Sequence, residues 1–501
     1  MSWKNRLMKK EKNKRNKQFG IKCKETNHLI ELLGMLCLFG LMNLWEVVFP
    51  EDTIWNRAIS ILLGGGGLYF FQKLIQPLKF IILICLIISI VLTPFNRVNA
   101  KENDSSLKDN EIHARFAAVI DADTNRLLYG KNADTKAPMA STTKIMTLIT
   151  ALEICPDDYI ATTSAYAASM PDVQLNAVKG EQFSIKDLYY SLMLRSHNDT
   201  AVIIAENTAY YYICSLTNKE RNELTFDISF INDYSYNSHF IENISKEQSK
   251  ALVLVFTNLM NRKATSLGCN STHYITPNGL DASDDTGIHS TTAYELAVVM
   301  SYCIKNEHFL SITQTHDYSF TSLSGRKYSV SNANAFLNMY DNIISGKTGF
   351  TGDAGYCYVC AYRDNDRTFI VALLACGWPD NKTYKWSDAK RLLDYTRASY
   401  TNQDILICPK VFNIKIKNGS KSSIDILFDK KLSACISDND NVEVVYNIPS
   451  SIAAPVNNEC IIGNVCVNIN DKEIQRYNIY CNENIKKVSF ISKITQKVKK
   501  L

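Results

Sequence analysis

The chain has 501 residues, 46% hydrophobic and 21% charged, which excludes a disordered or fibrous protein and leaves room for two folded domains plus membrane segments. The net charge of +5 is unevenly spread: residues 1–27 carry ten Lys and Arg against Glu11 and Glu25, so the rest of the chain is slightly acidic. A nucleic-acid-binding protein would extend that basic character into a stripe or a recognition motif, and none follows.

Residues 1–28 read as a basic cytoplasmic tail, because residues 29–99 behind them read as a transmembrane region. Leu29–Pro50 is nearly all apolar and long enough to span a bilayer. Ala58–Leu74, with Gly64–Gly67 inside it, is a second candidate, and Phe80–Phe95 a third. Three spans put the tail, Lys73 and Lys79 on the cytoplasmic side and everything after Phe95 outside, as positive-inside topology requires. Alternatively Phe80–Phe95 is the apolar core of a late signal sequence cut after Val98-Asn99-Ala100. Both readings make the remainder extracytoplasmic. Residues 100–111 are polar and read as a linker.

Two strands are predicted at Ala114–Ile120 and Leu127–Gly130, joined by a turn at 121–126. The stretch Ala140-Ser141-Thr142-Thr143-Lys144-Ile145-Met146 opens a buried helix, uninterrupted by Gly or Pro. Ser141 falls in its first turn, beside backbone N–H groups that lack helical partners. Lys144 returns to the same face three residues later, so its amine can reach the serine oxygen. An amine flanked by apolar residues loses basicity and can then take the hydroxyl proton. Taken alone, S-x-x-K is more often an N-capped helix with one solvated lysine.

From Asp157 to Leu224 the pattern is mostly helical, with Ser184 looking like the cap of a helix that leads to Ser196-His197-Asn198. Residues 210–250 are richer in Tyr, Asn and Ser, and Ala251–Leu267 is helical again. Thr276–Asp281 is a turn-rich loop, and His289–Ala297 starts another helix. Strands return at Asn342–Thr348, which holds Lys347-Thr348-Gly349, then at Tyr356–Tyr362 and Thr368–Cys376, and a helix over Lys382–Tyr400 follows. Strands at both ends of a segment with helices between them predict one antiparallel sheet, assembled from distant parts of the chain, beside a helical half. Residues 405–482 break into short strand-like runs and fit a small all-β domain. In 483–501, Ile485, Val488, Ile491, Ile494, Val498 and Leu501 recur every three or four residues opposite lysines, the pattern of a basic amphipathic helix for a membrane surface or of a solvated tail.

An S-x-x-K, an S-x-N and a K-T-G in this order form the motif set of penicillin-binding proteins and class A β-lactamases. On Ser141–Lys144, Ser196–Asn198 and Lys347–Gly349 the sequence resembles the low-molecular-weight penicillin-binding proteins, the serine-type D-alanyl-D-alanine carboxypeptidases. Ile452–Val456 followed by Ile462-Gly463 resembles their C-terminal β domain. The resemblance implies an α+β, β-lactamase/transpeptidase-like catalytic domain over 112–400, with 210–250 as an insertion, then the β domain, all behind N-terminal transmembrane helices. It implies Ser141 as nucleophile, Lys144 as base and Ser196 as proton relay. Asn198 would orient Lys144 and the substrate, and Lys347 and Thr348 would bind the terminal carboxylate. Gly349 would leave room for substrate along the strand, and the N–H groups of Ser141 and Phe350 would hold the oxyanion. The implied partners are peptidoglycan stem peptides ending in D-Ala-D-Ala, β-lactams as inhibitors and the membrane, with no cofactor. His197 departs from the small residue usual in the family, and it is expected to point away from the cleft.

A β-lactamase shares the motifs, but a class A enzyme needs an E-x-x-L-N for its deacylating water, and no such string occurs. A tethered, non-catalytic wall-binding protein would not need the intact set. Neither an H-E-x-x-H nor a G-x-S-x-G is present, which leaves zinc-peptidase and α/β-hydrolase chemistry unsupported. Cys357 and Cys360 form a C-x-x-C on an alternating strand, so they should face opposite sides as buried thiols.

Overall fold

A computed structural model describes residues 107–406 and 409–488. The expected membrane segments over 29–99 lie outside these residues. Among the described residues no helix is long and apolar enough to cross a membrane.

Alternation along the strands builds the centre of the larger domain. Five antiparallel strands lie in the spatial order Leu127–Lys131, Phe116–Asp121, Arg367–Leu374, Gly355–Asp364, Ile343–Thr351. The first and last segments of the domain meet in register, Val119 opposite Val371 and Ile120 opposite Ile370. Because successive side chains point to opposite faces, the sheet feeds two apolar clusters. Ala118, Ile120, Val359, Ile370 and Ala372 join the helical half. Val119, Tyr358, Phe369, Val371 and Leu373 meet Ala389, Leu392 and Leu393 of the helix Tyr384–Ser399. Cys357 belongs to the first cluster and Cys360 to the second. A sheet covered on both faces reads as nearly continuous apolar runs, as these strands do.

The helical half centres on Lys144–Ile154, whose first eight residues are all buried. A short 3-10 turn, Ala140–Thr143, leads into it and carries Ser141. Around it pack Asn198–Ser215, Lys246–Ser266, Ala293–Cys303 and Glu307–Gln314. The segment from 157 is less helical than its pattern suggests: Ile160–Thr162 pairs with Gln182–Ser184 and encloses an extended loop. Ser184 does start the helix Ile185–Tyr190, but its hydroxyl makes no capping bond. In the region read as an insertion, Asn198–Ser215 runs on unbroken, then a capping box of Thr217 and Glu220 opens a short helix. Phe240 stacks on Tyr210 with ring centroids 4.5 Å apart, and Ser245 caps the long helix.

The trailing domain is all β. Lys410–Lys417 lies between Ser423–Phe428 and Ser451–Ala453, and Ile461–Ile469 between Val442–Asn447 and Lys472–Tyr480. Ile414, Ile424, Leu432, Val465 and Val467 form its core. Ile485 is buried in that core and bridges Val456, and Lys487 bridges Gly419. These residues extend the β domain beyond 482 instead of opening a helix, because pairing and burial of Ile485 override the local 3.6-residue period. The rest of the expected amphipathic helix, from 489, lies outside the described residues.

Candidate active site

The 3-10 turn holds Ser141 where the helix Lys144–Ile154 begins, and Lys144 Nζ lies 2.9 Å from Ser141 Oγ. The same amine donates to Asn198 Oδ1 at 2.9 Å and to the Asn278 carbonyl at 2.5 Å. An uncharged amine has two N–H donors and one lone pair. With both donors taken by oxygens, the lone pair is left for the Ser141 hydroxyl. Lys144 is fully buried, and burial first, then the charge of nearby Lys347, hold its pKa well below that of a free lysine; Asp199 opposes this weakly. Three oxygens thus surround the amine, and burial favours its uncharged form, in which it can accept the Ser141 proton.

Ser196 reaches the site by backbone strain. The helix that carries it widens to a π-helical turn over Ser191–Arg195, and Ser196 then adopts φ +65°, a left-handed conformation rare outside glycine. Its Oγ accepts a hydrogen bond from Lys347 Nζ at 2.8 Å. Lys347 Nζ also donates to the Thr348 carbonyl at 2.8 Å, and burial lowers its pKa to about 7. Ser196 is thus bonded to the strand lysine, and the Lys347 amine directs two of its donors inside the protein. The reason is the side-chain direction on the strand: Lys347 points into the sheet–helix seam, where its charge needs an oxygen partner.

Asn198 begins the next helix and ties three segments together. Its Oδ1 accepts from Lys144, its Nδ2 donates to the carbonyls of Pro171 and Asp172, and its backbone N–H donates to Val173. Asp199 beside it accepts from the N–H groups of Leu175 and Ala177, fixing the same loop. Gly349 supplies close approach: a Cβ there would sit 2.8 Å from the Ser141 nitrogen. The room it leaves is thus for the nucleophile turn itself. Gly279, at φ +84°, presses on that turn from the other side, where a Cβ would meet the Ala140 carbonyl at 2.0 Å.

Ser141, Ser196, Asn198, Thr348, Gly349 and Phe350 all line one open cleft of about 460 Å³. Lys144 and Lys347 lie beneath it, buried. His197 is buried with Nδ1 2.8 Å from Ser191 Oγ and does not line the cleft; burial lowers its pKa to about 4. Sequence reasoning gave no role to Asn278, Asp199 or His289. The backbone N–H groups of Ile275 and Thr276 donate to His289 Nδ1, so its Nε2–H donates to Thr143 Oγ1 at 2.8 Å. That side chain clamps the Asn278 loop to the nucleophile turn. Asn278 acts through its carbonyl, which no side-chain motif could have revealed.

Comparison with known proteins identifies the family. Residues 101–211 and 253–376 match the family described as D-alanyl-D-alanine carboxypeptidase, and 409–487 match the C-terminal domain of penicillin-binding protein 5. The break at 212–252 falls on the region read as an insertion. The chain is 23% identical over 402 residues to D-alanyl-D-alanine carboxypeptidase DacF of Bacillus subtilis, covering 78% of this chain and 91% of that one. It is 26% identical over 282 residues to D-alanyl-D-alanine carboxypeptidase DacB2 of Mycobacterium tuberculosis, covering 55% and 80%. Its fold is similar to that of penicillin binding protein 5 from Haemophilus influenzae, with a TM-score of 0.57 at 20% identity over 76% of this chain and 100% of the other. The two family matches together take in more than half of the sequence, and the chain belongs to the serine-type D-alanyl-D-alanine carboxypeptidases, the low-molecular-weight penicillin-binding proteins.

Proposed function

We propose that the chain is anchored by its N-terminal apolar segments with the catalytic domain outside the cytoplasmic membrane, where it trims the terminal D-alanine from peptidoglycan stem peptides by the following division of labour. Neutral Lys144 takes the Ser141 proton as Oγ attacks the carbonyl between the two D-alanines. The N–H groups of Ser141 and Phe350 receive the oxyanion; one such donor is worth roughly 3 kcal/mol of barrier. As the C–N bond breaks, the Ser196 hydroxyl passes a proton to the leaving amine and is resupplied from Lys347. Thr348 and the exposed strand edge receive the free peptide end, and the substrate lies along that edge as an added strand. Water then attacks the ester, giving up a proton through Ser196 to Lys347, and Lys144 returns its own proton to the departing Ser141 oxygen, so every group ends as it began. β-Lactams acylate the same serine and block it.

The observation that carries this reading is the Lys144 amine, buried, with both donors used and its remaining position 2.9 Å from Ser141 Oγ. Incubation with a labelled penicillin beside an acyl-D-Ala-D-Ala peptide tests it. A long-lived adduct together with D-alanine release is expected, and both signals should vanish in Ser141→Ala. Rapid drug turnover would make the protein a β-lactamase, and neither signal a wall-binding protein. Membrane fractionation tests the anchoring, which recovery of the full chain in the soluble fraction overturns.

A further inference from the structure

A carboxypeptidase has to recognise a free carboxylate, and the motif lysine does not offer itself for the task. Lys347 is only 2% exposed, and two of its amine's donors go to Ser196 and to the Thr348 carbonyl. Two other cationic side chains line the cleft. Lys385 is occupied: its amine donates to the Lys382 carbonyl and lies over the rings of Tyr356 and Trp386, 4.6 and 4.7 Å from their centroids. Arg195 is exposed, and its guanidinium makes no hydrogen bond or ion pair with any described residue. Asp172 is the one carboxylate among the residues lining the cleft, and it forms no ion pair with either cation.

The chemistry locates the carboxylate. The leaving amine must come within hydrogen-bond reach of Ser196 Oγ to collect its proton. In a terminal alanine the carboxylate is attached to the carbon next to that nitrogen. A substrate placed for proton transfer therefore carries its carboxylate into the reach of the side chain adjoining Ser196. The left-handed backbone at Ser196 ends the helical turn directly after Arg195. Ala333, tied by its N–H to the Leu194 carbonyl at 2.9 Å, lines the cleft alongside and brings only a methyl group.

We propose that Arg195, together with the Thr348 hydroxyl, grips the free C-terminal carboxylate and is the specificity-determining residue that restricts this site to removal of a terminal residue. The proposal rests on the carboxypeptidase reading. A guanidinium fork matches a carboxylate in a bidentate way that an ammonium cannot.

The test uses the full-length protein as wild type, Arg195→Gln and Arg195→Lys. Each is given an acyl-D-Ala-D-Ala peptide, the same peptide as its C-terminal amide, and a labelled penicillin. Wild type should favour the free acid over the amide by about 100-fold in kcat/KM. Arg195→Gln should bring that ratio close to one, mainly through a raised KM for the acid, and Arg195→Lys should restore part of it. Penicillin has a carboxylate of its own, so its labelling should slow in the variants; labelling to completion with excess drug, read as an endpoint, shows that the nucleophile is intact. A labelled Arg195→Gln that keeps the wild-type ratio overturns the proposal, as does an equal loss on both peptides or a wild type indifferent to the amide. Wild type that takes label but hydrolyses neither peptide overturns the carboxypeptidase reading, and the proposal with it.

Discussion

The interiors of the catalytic domain and of the β domain obey different rules. Among the described residues, the buried polar and charged residues end at Thr396, within the catalytic domain; beyond it the Asp440 carboxylate is also covered, through its pair with Arg126. In the catalytic domain Lys144, Lys347, Asn198, Asp199, Glu206 and His289 lie inside a fold that also buries a large apolar core. The β domain closes mainly on Ile414, Ile424, Val465 and their neighbours. Burying a polar group costs free energy unless it is bonded, so such groups persist where something other than stability keeps them. The contrast separates the part of the chain that does chemistry from the part that merely stands.

The sharpest way to break that contrast is to remove the base. Lys144→Met should lower penicillin acylation by about 1,000-fold or more while leaving the protein folded, as followed by stopped-flow labelling and circular dichroism. Retained acylation would mean that the buried amine is structural. Next in size is Lys347→Met. The Lys347 charge lowers the Lys144 pKa, so its loss should raise that pKa and move the acid limb of the acylation pH profile to higher pH. The rate at the plateau should also fall, since Ser196 loses its donor; a smaller plateau with an unmoved limb would exclude the electrostatic role.

The β domain should answer in the opposite currency. Ile414→Ala removes a fully buried side chain and should cost about 2–5 kcal/mol in denaturant unfolding with an unchanged acylation rate constant. A change in acylation would show that the two interiors are coupled. The smallest effect concerns Glu206, fully buried on the helix Asn198–Ser215, where burial raises its pKa to about 8. The protonated acid is the native form, so its contribution is complete below the free-Glu value and is lost as pH climbs through about 8. Glu206→Gln should therefore match wild type in Tm near pH 4 and exceed it by about 3 °C at pH 9, read by calorimetry.

Much of the site can be read from local chemistry. Ser141 and Lys144 share one helical turn, so spacing alone brings them together. Alternation alone separates Cys357 from Cys360 and assigns one to each face of the sheet. The order of strands and helices likewise implies a sheet closed between the two ends of the domain, because those end strands are too apolar to face water. Short-range periodicity and the need to bury apolar surface are carried by the residue string itself.

Other features depend on which segments meet in space. The partner of Ser196 proved to be Lys347, 151 positions away, and the Lys144 amine is held by the backbone carbonyl of Asn278, which has no side-chain signature. His289 clamps the Ser141 turn from a segment whose sequence marks it only as the start of a helix, which begins at Ala293, and Ile485 leaves an apparent helical period to complete a β core. Each of these rests on a contact between distant segments, and a pairwise hydrogen bond or a filled cavity has no counterpart in the pattern of one strand or one helix. Local residue chemistry thus placed Ser141 beside Lys144 and outlined the sheet, while the packing of distant segments chose the hydrogen-bond partners.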